Sequence, residues 1–406
     1  MLNKYLKFSV FAGLTALVVF TAQVAKSGPD AASIQLPQGF KLSVFANEST
    51  KNGKLLNTVR FIAFDAKGHM LVSNAKSGKI LQVIDANNDG VAEEVRIVAE
   101  GLNSPQGMAF VDNALLVANQ DGVVKIEGLD LAATQLPPAK ISPFIPNLSM
   151  GWHTLKTIKL SPDGYLYVNV GSSCNVCAES DATRATILRY TKEGKPAGAL
   201  VTLGRHQPSA IWARGLRNSQ DFAWHPVSGE MFATNNGSDM RAATKNGAVD
   251  ENLPPEHLNK IEAGKHYGWP YCWGKAPDGV GQVQDPKFVG EVDFCKTTQA
   301  PAITFTSHTT PIGLTFLNKA RFPKQYQNDA IVALHGSWNR ENPAGYQLVR
   351  VKFNAENQPE AVEDFATGWL VGKKAWGRPV DVAVGTDGAL YVSDDLQGAI
   401  YRIEHK

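Results

Sequence analysis

The segment Ile158-Lys-Leu-Ser-Pro-Asp-Gly-Tyr-Leu-Tyr-Val168 decides the fold of this chain. Apolar side chains alternate with polar ones on both sides of the Ser-Pro-Asp-Gly turn, and this pattern predicts two antiparallel strands joined by a tight turn. Similar segments occur five more times along the chain. In chain order they are residues 62–72, 108–117, 222–232, 314–316 together with 330–333, and 382–392.

The spacing of the six predicted hairpins indicates a repeat. Measured at the residue before each turn, neighbouring hairpins are 46 to 92 residues apart. A β-propeller blade takes about 40 to 50 residues, so the short intervals match one blade and the long ones leave room for insertions. Third strands are predicted after several hairpins, at residues 79–84, 186–190, 347–353 and 399–403.

We therefore predict an all-β fold, a six-bladed β-propeller that spans residues 34–406 and whose loop insertions form the active-site face. A β-sandwich, or a pair of β-domains, would also give short strands at regular spacing and is the alternative. Recurrence at the length of a blade favours the propeller. Loops from every blade of a propeller meet at one end of a central channel, so a site there can combine residues that are distant in sequence.

The composition limits the classes of partner. With 43% apolar and 19% charged residues, the 406-residue chain is typical of a globular protein with a substantial core. Forty Lys and Arg residues against 38 Asp and Glu leave a net charge of +2. This balance gives no reason to expect nucleic acid or an anionic membrane as a partner, so a small molecule fits better.

Residues 1–25 are predicted to be a signal peptide. Lys4 and Lys7 precede an uncharged apolar run over residues 8–22, which is short for a membrane span of about 20 apolar residues. The expected location is periplasmic or secreted. Because Gln23 disturbs the expected cleavage site, an uncleaved N-terminal anchor is the alternative, and only then would the protein be held at a membrane.

Export to an oxidising compartment makes disulfides the expected state of the four cysteines. Four cysteines allow three pairings, of which Cys174 with Cys177 and Cys272 with Cys295 are locally plausible. We interpret the first pair as a structural clip. A redox-active dithiol is the alternative, although the strand and loop pattern around it is not the one that such motifs usually have.

Five segments between the hairpins are rich in His, Arg, Trp and Asn, and these residue types can perform chemistry. An imidazole such as that of His153 titrates near neutral pH and can take a proton from a substrate. Arginine next to asparagine, as in Arg217-Asn218, offers fixed donors to the oxygens of a flat anionic ligand. Main-chain carbonyls of a glycine-containing loop are hard ligands suited to Ca²⁺. The five segments are residues 151–153, 212–220, 235–239 with 259–262 and 267–270, 307–311 with 335–340, and 376–381.

Three of these motifs together resemble those of a known family. Leu216-Arg-Asn-Ser-Gln220, Tyr267-Gly-Trp-Pro270 and His335-Gly-Ser-Trp-Asn-Arg340 are similar to motifs of the soluble sugar dehydrogenases that depend on pyrroloquinoline quinone (PQQ), the glucose/sorbosone dehydrogenase family. The resemblance runs from about Leu36 to Ile403. It is closest to the sorbosone or aldose dehydrogenase branch, because that branch shares the segments 174–177 and 335–340.

The resemblance implies an oxidoreductase that acts on a CH–OH group of an aldose-type sugar or a sorbosone-like substrate and passes electrons to an external acceptor. His153 would be the general base that takes the hydroxyl proton while hydride passes to the C5 carbonyl of PQQ. Arg217 would stabilise the negative charge that develops there. Ca²⁺ would be held by main-chain carbonyls near Asn236 and Gly237. The cofactor-binding residues would be Arg217, Asn218, Gln220 and Arg378, and either Asn339 or Arg340 would stand where the family has a cofactor-binding lysine.

Two positions depart from the family pattern. The glucose enzymes have a carboxylate that orients the base where this chain has Ser172, and a second carboxylate-binding arginine where it has Val380. A hydroxyl can orient an imidazole but cannot stabilise imidazolium by charge. The departures therefore concern the affinity for substrate and cofactor more than the fold.

Two other functions are alternatives to the dehydrogenase. A Ca²⁺-dependent lactonase-type hydrolase would need carboxylates and amides that converge on a metal, whereas Arg217, Arg340 and Arg378 predict a cationic site. A non-catalytic binding propeller would not need His153 beside the Arg217 motif.

The segment Asp85-Ala-Asn-Asn-Asp-Gly90 copies the first half of a Ca²⁺-binding loop. Arg96 stands where such a loop would have its bidentate glutamate. We therefore interpret this segment as a polar hairpin turn, with a Ca²⁺ loop as the alternative.

Overall fold

The computed structural model describes residues 30–200, 209–275, 281–288 and 290–406. In this part of the chain, 28 strands account for nearly all of the regular structure. The helices are the 3₁₀ turns η1 (Ala31–Ser33), η2 (Gly53–Leu56) and η3 (Lys324–Tyr326) and the α-helix α1 (Val292–Thr297). The predicted signal peptide, residues 1–25, lies outside the described residues. Within the described ranges, no helix has the length and hydropathy needed to cross a membrane.

The strands follow one another as short antiparallel pairs. In chain order they are β1 (Phe40–Ala46), β2 (Val59–Phe64), β3 (Met70–Asn74), β4 (Lys79–Ile84), β5 (Glu94–Ala99), β6 (Met108–Val111), β7 (Ala114–Asn119), β8 (Gly122–Glu127), β9 (Lys140–Ile145), β10 (Ile158–Leu160), β11 (Leu166–Val170), β12 (Thr186–Tyr190), β13 (Ile211–Arg214), β14 (Phe222–Trp224), β15 (Met231–Asn235), β16 (Glu256–Ile261), β17 (Cys272–Gly274), β18 (Gln282–Gln284), β19 (Ile303–Phe305), β20 (Pro311–Phe316), β21 (Ala330–Leu334), β22 (Gln347–Phe353), β23 (Pro359–Ala366), β24 (Leu370–Val371), β25 (Lys374–Ala375), β26 (Pro379–Val384), β27 (Leu390–Asp394) and β28 (Ala399–His405).

Six four-stranded antiparallel sheets form the blades of a propeller. In blade order, their strands from the inside outwards are β2-β3-β4-β5, β6-β7-β8-β9, β10-β11-β12-β13, β14-β15-β16-β19, β20-β21-β22-β23 and β26-β27-β28-β1. The six predicted hairpins are the first two strands of the six blades. The prediction of an all-β six-bladed propeller is confirmed, and the sandwich alternative is wrong.

The N-terminal strand closes the ring. Blade 6 takes its outermost strand, β1, from the other end of the chain, with Phe40 opposite His405 and Val44 opposite Tyr401. The ring of Phe40 also makes edge-on contacts with Phe322 and Phe365. This pairing joins the two ends of the described chain and fixes blade 6 beside blade 1.

Apolar side chains fill the spaces between blades. Six clusters of buried residues each combine side chains from two neighbouring blades, so the core is divided among the six interfaces. Phe222 and Phe232 of blade 4, and Phe365 of blade 5, are among the largest fully buried side chains. This arrangement explains why the strands are richly apolar on both faces: each sheet packs against a neighbour on either side.

Two buried aspartates link the inner strands of neighbouring blades. The Asp381 carboxylate accepts a hydrogen bond from the Ile62 main-chain N–H at 2.8 Å, and the Asp221 carboxylate accepts one from the Leu314 N–H at 2.9 Å. The Lys159 ammonium lies 2.7 Å from Asp221. Burial, together with the nearby Asp221, raises the pKa of Asp381 to about 7. The aspartates satisfy main-chain donors where diverging inner strands cannot pair with each other.

Both predicted disulfides are present. Cys174 is bonded to Cys177 in the loop after β11, and Cys272 is bonded to Cys295. The second bridge ties α1 to the small β17–β18 hairpin, and both belong to the insertion between β16 and β19.

Segment 85–90 forms the predicted polar turn, between β4 and β5. The Asp85 carboxylate accepts hydrogen bonds from the main-chain N–H groups of Asp89 and Gly90.

Replacing Phe40 with alanine should lower the free energy of unfolding by about 2 to 3 kcal/mol, because the ring fills the closure between β1, β28 and blade 5. Denaturant unfolding measures this change. Lys41→Ala, an exposed position in the same strand, is the matched control and should change stability by less than about 0.5 kcal/mol. Equal effects of the two substitutions would contradict the closure role of Phe40.

Candidate functional site

The first residues of the inner strands meet at one mouth of the central channel. The Arg60 guanidinium donates to the Gln106 side-chain oxygen at 3.1 Å, and the Gln106 amide donates to the Gln220 side-chain oxygen at 3.2 Å. The Thr157 hydroxyl donates to the main-chain oxygen of Gln220 at 2.6 Å. Because strands alternate in direction, the ends of the second strands β11, β15, β21 and β27 lie at this mouth as well.

His153 lies on the segment that enters β10, and its ring is oriented by Ser172. The Nδ1 atom is 2.8 Å from the Ser172 hydroxyl, which donates its one hydrogen to the Cys174 main-chain oxygen at 2.7 Å. The imidazole must therefore donate from Nδ1–H to the hydroxyl. This arrangement fixes the tautomer and leaves the Nε2 lone pair available to accept a proton.

Burial and a neighbouring charge keep His153 neutral. Burial, followed by the positive charge of Arg217, lowers the pKa of His153 to about 3. At neutral pH the imidazole is a proton acceptor with no proton on Nε2.

A side-chain carbon on Gly171 would collide with the Cβ of His153, so the close approach of the two segments depends on this glycine.

A buried lysine holds the segment before β10. The Lys156 ammonium donates to the main-chain oxygens of Gln120 at 2.6 Å, Ser149 at 2.9 Å and Thr154 at 3.0 Å. Lys156 is fully buried, and burial lowers its pKa to about 8. All three ammonium hydrogens have partners, so the charge is compensated while residues 149–154 are held on either side of His153.

We call the residues around Asp239 the Asp239 cluster: Asn175, Arg217, Asp239 and Asn339. The Arg217 guanidinium is 4% exposed and donates to the Asp239 carboxylate at 2.8 Å and to the Asn175 side-chain oxygen at 3.0 Å. The Asn339 amide donates to the same carboxylate at 3.0 Å. Arg217 also donates to the main-chain oxygen of Asn236 at 3.4 Å. The cluster joins blade 3, blade 4 and the loop after β21.

A second group, the Asp395 cluster, consists of Arg60, His335, Arg378 and Asp395. The Asp395 carboxylate accepts from Arg378 at 2.6 Å and Arg60 at 3.2 Å, and it lies 3.1 Å from the His335 ring. Burial lowers the pKa of His335 to about 4, so the ring is neutral at pH 7. Burial opposes ionisation of Asp395, but its three partners together hold its pKa well below the usual range. Two guanidinium groups against one carboxylate leave a surplus positive charge in the Asp395 cluster.

Several buried polar atoms at the mouth have no hydrogen-bond partner among the described residues. They are the side-chain oxygens of Asn218, Asn236 and Asn339 and the Nε of Arg60. Buried polar groups are nearly always paired, so a cluster of unpaired ones in a cationic pocket is typical of a site that binds a ligand. The Glu256 carboxylate lies beside them, accepting from the Gly237 N–H at 2.6 Å, and burial raises its pKa to about 7.

The structure brings most of the predicted site residues to this mouth. Arg340 is the exception, because its guanidinium bonds to the main chain of Ser307 and the side chain of Asn252 and pairs with Glu251. Its neighbour Asn339 is the residue of that pair that reaches the Asp239 cluster. The predicted residues at the mouth are His153, Arg217, Asn218, Gln220, Asn236, Gly237, Asn339 and Arg378.

Sequence reasoning missed four residues of these clusters. Arg60 and Asp395 follow no motif, and their pairing joins positions that are 335 residues apart. Asp239 ends a segment that we interpreted as a source of main-chain ligands, so its carboxylate was overlooked. Asn175 lies between two cysteines that we interpreted only as a clip. The polar residues in the loop after the apolar run of each second strand are the signal that could have identified Asp395 and Asn175.

A comparison with known proteins identifies a matching family model and a related protein. A family model described as TrAA12-like matches residues 34–406. A PQQ-dependent pyranose dehydrogenase of Coprinopsis cinerea is 22% identical over 399 residues, which cover 86% of this chain and 52% of that protein. This chain therefore spans about half the length of that relative.

Two solved structures have the same fold. The calcium structure of Trichoderma reesei Carbohydrate-Active Enzymes Family AA12 superposes with a TM-score of 0.76 at 19% identity, covering 92% of this chain and 97% of that one. The holo form of the pyranose dehydrogenase PQQ domain from Coprinopsis cinerea gives 0.73 at 20% identity, with the same coverage of each chain. At these identities the superpositions establish the fold alone.

The neutral state of His153 leads to a prediction for the protein without ligands. Its ring should stay neutral from pH 8 down to about pH 4. The ¹⁵N–¹H spectra of protein with labelled histidine measure this titration. The His153 resonance is identified by its loss in His153→Gln. Because the unfolded chain binds this proton below about pH 6.5 and the folded chain does not until near pH 3, acid should reduce stability in that window. Arg217→Gln should raise the titration midpoint. A midpoint near 6.5 in the native protein would contradict the burial of this ring.

Proposed function

We propose, from the premise that this chain belongs to the TrAA12-like family, that it oxidises an aldose-type sugar or a related alcohol with bound PQQ. Electrons would then pass to an external acceptor. The observation on which the proposal rests is a neutral imidazole of fixed tautomer beside a buried guanidinium, with a surplus positive charge in the nearby Asp395 cluster.

The residues at the mouth suit PQQ, which is flat and carries several carboxylates. Arg378 and Arg60 share a single carboxylate partner, so their combined charge is not neutralised within the protein. Arg217 and Asn218 would face the quinone oxygens, with Gln220 and Asn339 as further polar contacts. When bound, PQQ supplies an electrophilic carbonyl that can accept hydride. The positive charge of Arg217, held in place by Asp239, would stabilise negative charge at that oxygen.

His153 would act as the general base. Nε2 is free to accept the hydroxyl proton of the substrate because Nδ1–H is committed to Ser172. Ser172 replaces a carboxylate in this role, so the imidazolium that forms would be stabilised by hydrogen bonds rather than by a formal negative charge. Trp152 and Trp338, next in sequence to His153 and Asn339, are 73% and 70% exposed. Their rings would give a sugar apolar surface and N–H donors at the entrance.

Ca²⁺ would lie at the loop after β15. The main-chain oxygens of Asn236 and Gly237 are hard ligands, and the Asn236 side-chain oxygen is buried without a partner among the described residues. One structural neighbour is described as a calcium structure, which supports the proposal without locating the ion here. The two disulfides favour the periplasmic or secreted location.

A Ca²⁺-dependent hydrolase is the second candidate, because buried oxygens gather at the mouth. The unpaired side-chain oxygens of Asn218 and Asn236, with the carboxylates of Asp239 and Glu256, are the kind of donors that such an enzyme uses. The arginines at the mouth disfavour it. Hydrolysis of a sugar lactone by the Ca²⁺-loaded protein without PQQ, at a rate lost in Asp239→Asn, would establish this candidate instead.

Adding PQQ and Ca²⁺ to the purified protein should produce a bound-quinone absorption spectrum, and a panel of aldoses should then reduce an artificial dye. In His153→Gln the spectrum should persist while turnover falls by at least about a hundredfold, the usual scale for loss of a general base. His69→Gln is the matched control: His69 lies at the opposite end of the channel, paired with Asp65, and its loss should leave turnover unchanged. Undiminished turnover in His153→Gln would mean that another group takes the proton.

Replacing Arg378 with glutamine should weaken PQQ binding by about 10- to 100-fold, the range expected for one charge-assisted contact. Titration followed by absorbance measures the affinity without relying on activity. Arg402→Gln removes a guanidinium that pairs with Asp387 and Glu404, away from the mouth, and should leave PQQ affinity unchanged. If both variants bind equally well, Arg378 is not a ligand of the cofactor.

A further inference from the structure

The disulfide-closed loop 174–177 lies between the candidate base and the buried guanidinium. The main-chain oxygen of Cys174 accepts from Ser172, whose hydroxyl orients the His153 ring. The next residue, Asn175, contacts Arg217 through both its main chain and its side chain. Two consecutive residues of one short loop are therefore in contact with the supports of both groups.

The Asn175 side chain pairs with the main chain of Asp239 as a neighbouring strand would. Its oxygen accepts from the Asp239 N–H at 2.8 Å, and its Nδ2 donates to the Asp239 main-chain oxygen at 2.9 Å. The partners define which end of the amide is the oxygen. The two bonds hold Asp239 in the position from which its carboxylate reaches Arg217.

Asn175 provides two of the four hydrogen-bond acceptors of Arg217. The guanidinium Nε donates to the Asn175 main-chain oxygen at 3.2 Å, and Nη2 donates to the side-chain oxygen at 3.0 Å. The same main-chain oxygen accepts from the Trp269 indole at 3.1 Å. Arg217 is thus held by a fork of acceptors from a single residue, which limits both the position and the rotation of its planar group.

The loop itself is anchored on both sides. The Cys174–Cys177 bond closes it, and the main-chain oxygen of Val176 accepts from the Lys287 ammonium at 2.6 Å. Val176 is buried, so the loop is packed as well as bonded. An anchored loop can set the position of a neighbouring group, whereas a loose one would follow it.

We propose that Asn175 is a positioning residue, which sets the distance between the His153 imidazole and the Arg217 guanidinium and holds Asp239 against the latter. The cysteine pair has, in this view, a task beyond stability: it keeps Asn175 in place. The catalytic consequence rests on the proposed function, but the positioning itself does not. Without the Asn175 amide, Arg217 keeps its bonds to Asp239, Asn236 and the Asn175 main-chain oxygen but loses the acceptor that restricts the rotation of its planar group beside His153.

The test uses Asn175→Ala in the protein without PQQ or Ca²⁺. The His153 ring titration should move to higher pH by at least about half a unit, because the positive charge that disfavours protonation is no longer fixed beside the ring. Asn354→Ala is the matched control: Asn354 is also partly buried, and its side-chain oxygen also accepts two hydrogen bonds, both from main-chain N–H groups, but it lies at the opposite end of blade 5. The control should leave the His153 titration unchanged.

A second variant covers the case in which the alanine protein does not fold. Asn175→Leu keeps the approximate size of the side chain and adds no charge, but it can neither donate to the Asp239 main-chain oxygen nor accept from Arg217. It should shift the His153 titration in the same direction. An unchanged titration in the folded variants would overturn the proposal, whatever the protein's activity.

The effect of Asn175 on catalysis is measured separately, in the PQQ-loaded protein. Asn175→Ala should lower kcat by at least about tenfold with a smaller change in KM for the sugar, since a displaced guanidinium loses stabilisation that is realised in the transition state. If native protein shows no PQQ-dependent turnover, the proposed function fails while the titration result stands. The native protein could instead show turnover that Asn175→Ala leaves unchanged while it shifts the His153 titration. Asn175 would then position Arg217, but that position would not matter for the reaction. This outcome would contradict the catalytic part of the proposal.

Discussion

A guanidinium group can be buried only where acceptors surround it, and the mouth of this channel is organised around one such group. Arg217 is almost inaccessible to solvent, and its N–H groups are met by Asn175, Asn236 and Asp239. Those acceptors come from two blades, so the cost of leaving a cation unpaired fixes how the loops pack. Burial, followed by the same charge, keeps the His153 ring neutral. The packing of the loops and the protonation state of His153 therefore both depend on the buried guanidinium.

The propeller makes this arrangement possible because each blade contributes to the mouth in the same way. The start of an inner strand and the end of its antiparallel neighbour are adjacent in every blade, so residues such as Arg60 and Asp395 meet although they belong to opposite ends of the chain. The burial of Arg217 at this mouth strengthens the electrostatic interactions that its guanidinium makes. The confirmed resemblance to PQQ-dependent sugar dehydrogenases agrees with such a site.

The sequence allowed the fold to be predicted because hairpins are local: the alternation around Ser161-Pro-Asp-Gly164 predicts its own partner strand. Cys272 and Cys295 could be paired for the same reason, since few residues separate them. The site was predicted only where motifs are contiguous, as at Arg217-Asn218. The roles of these residues stay predictions, although the structure places them at one mouth.

What sequence reasoning could not supply is the partner of each charge. Asp239 and Asp395 have no motif of their own, and their importance follows from which cations lie next to them in space. The choice between Asn339 and Arg340 was likewise undecided, because the direction in which neighbouring side chains leave a loop depends on contacts with other blades.

The closure of blade 6 by β1 has a consequence for the order of events during synthesis. Blades 1 to 5 consist of strands that follow one another along the chain, so each can assemble as it leaves the ribosome. Blade 6 needs β28, whose Arg402 lies 359 residues after Ser43 of β1 along the chain. The strand β1 must therefore wait, unpaired, until β28 has been synthesised. Until then the ring of the nascent chain is open and the mouth is incomplete.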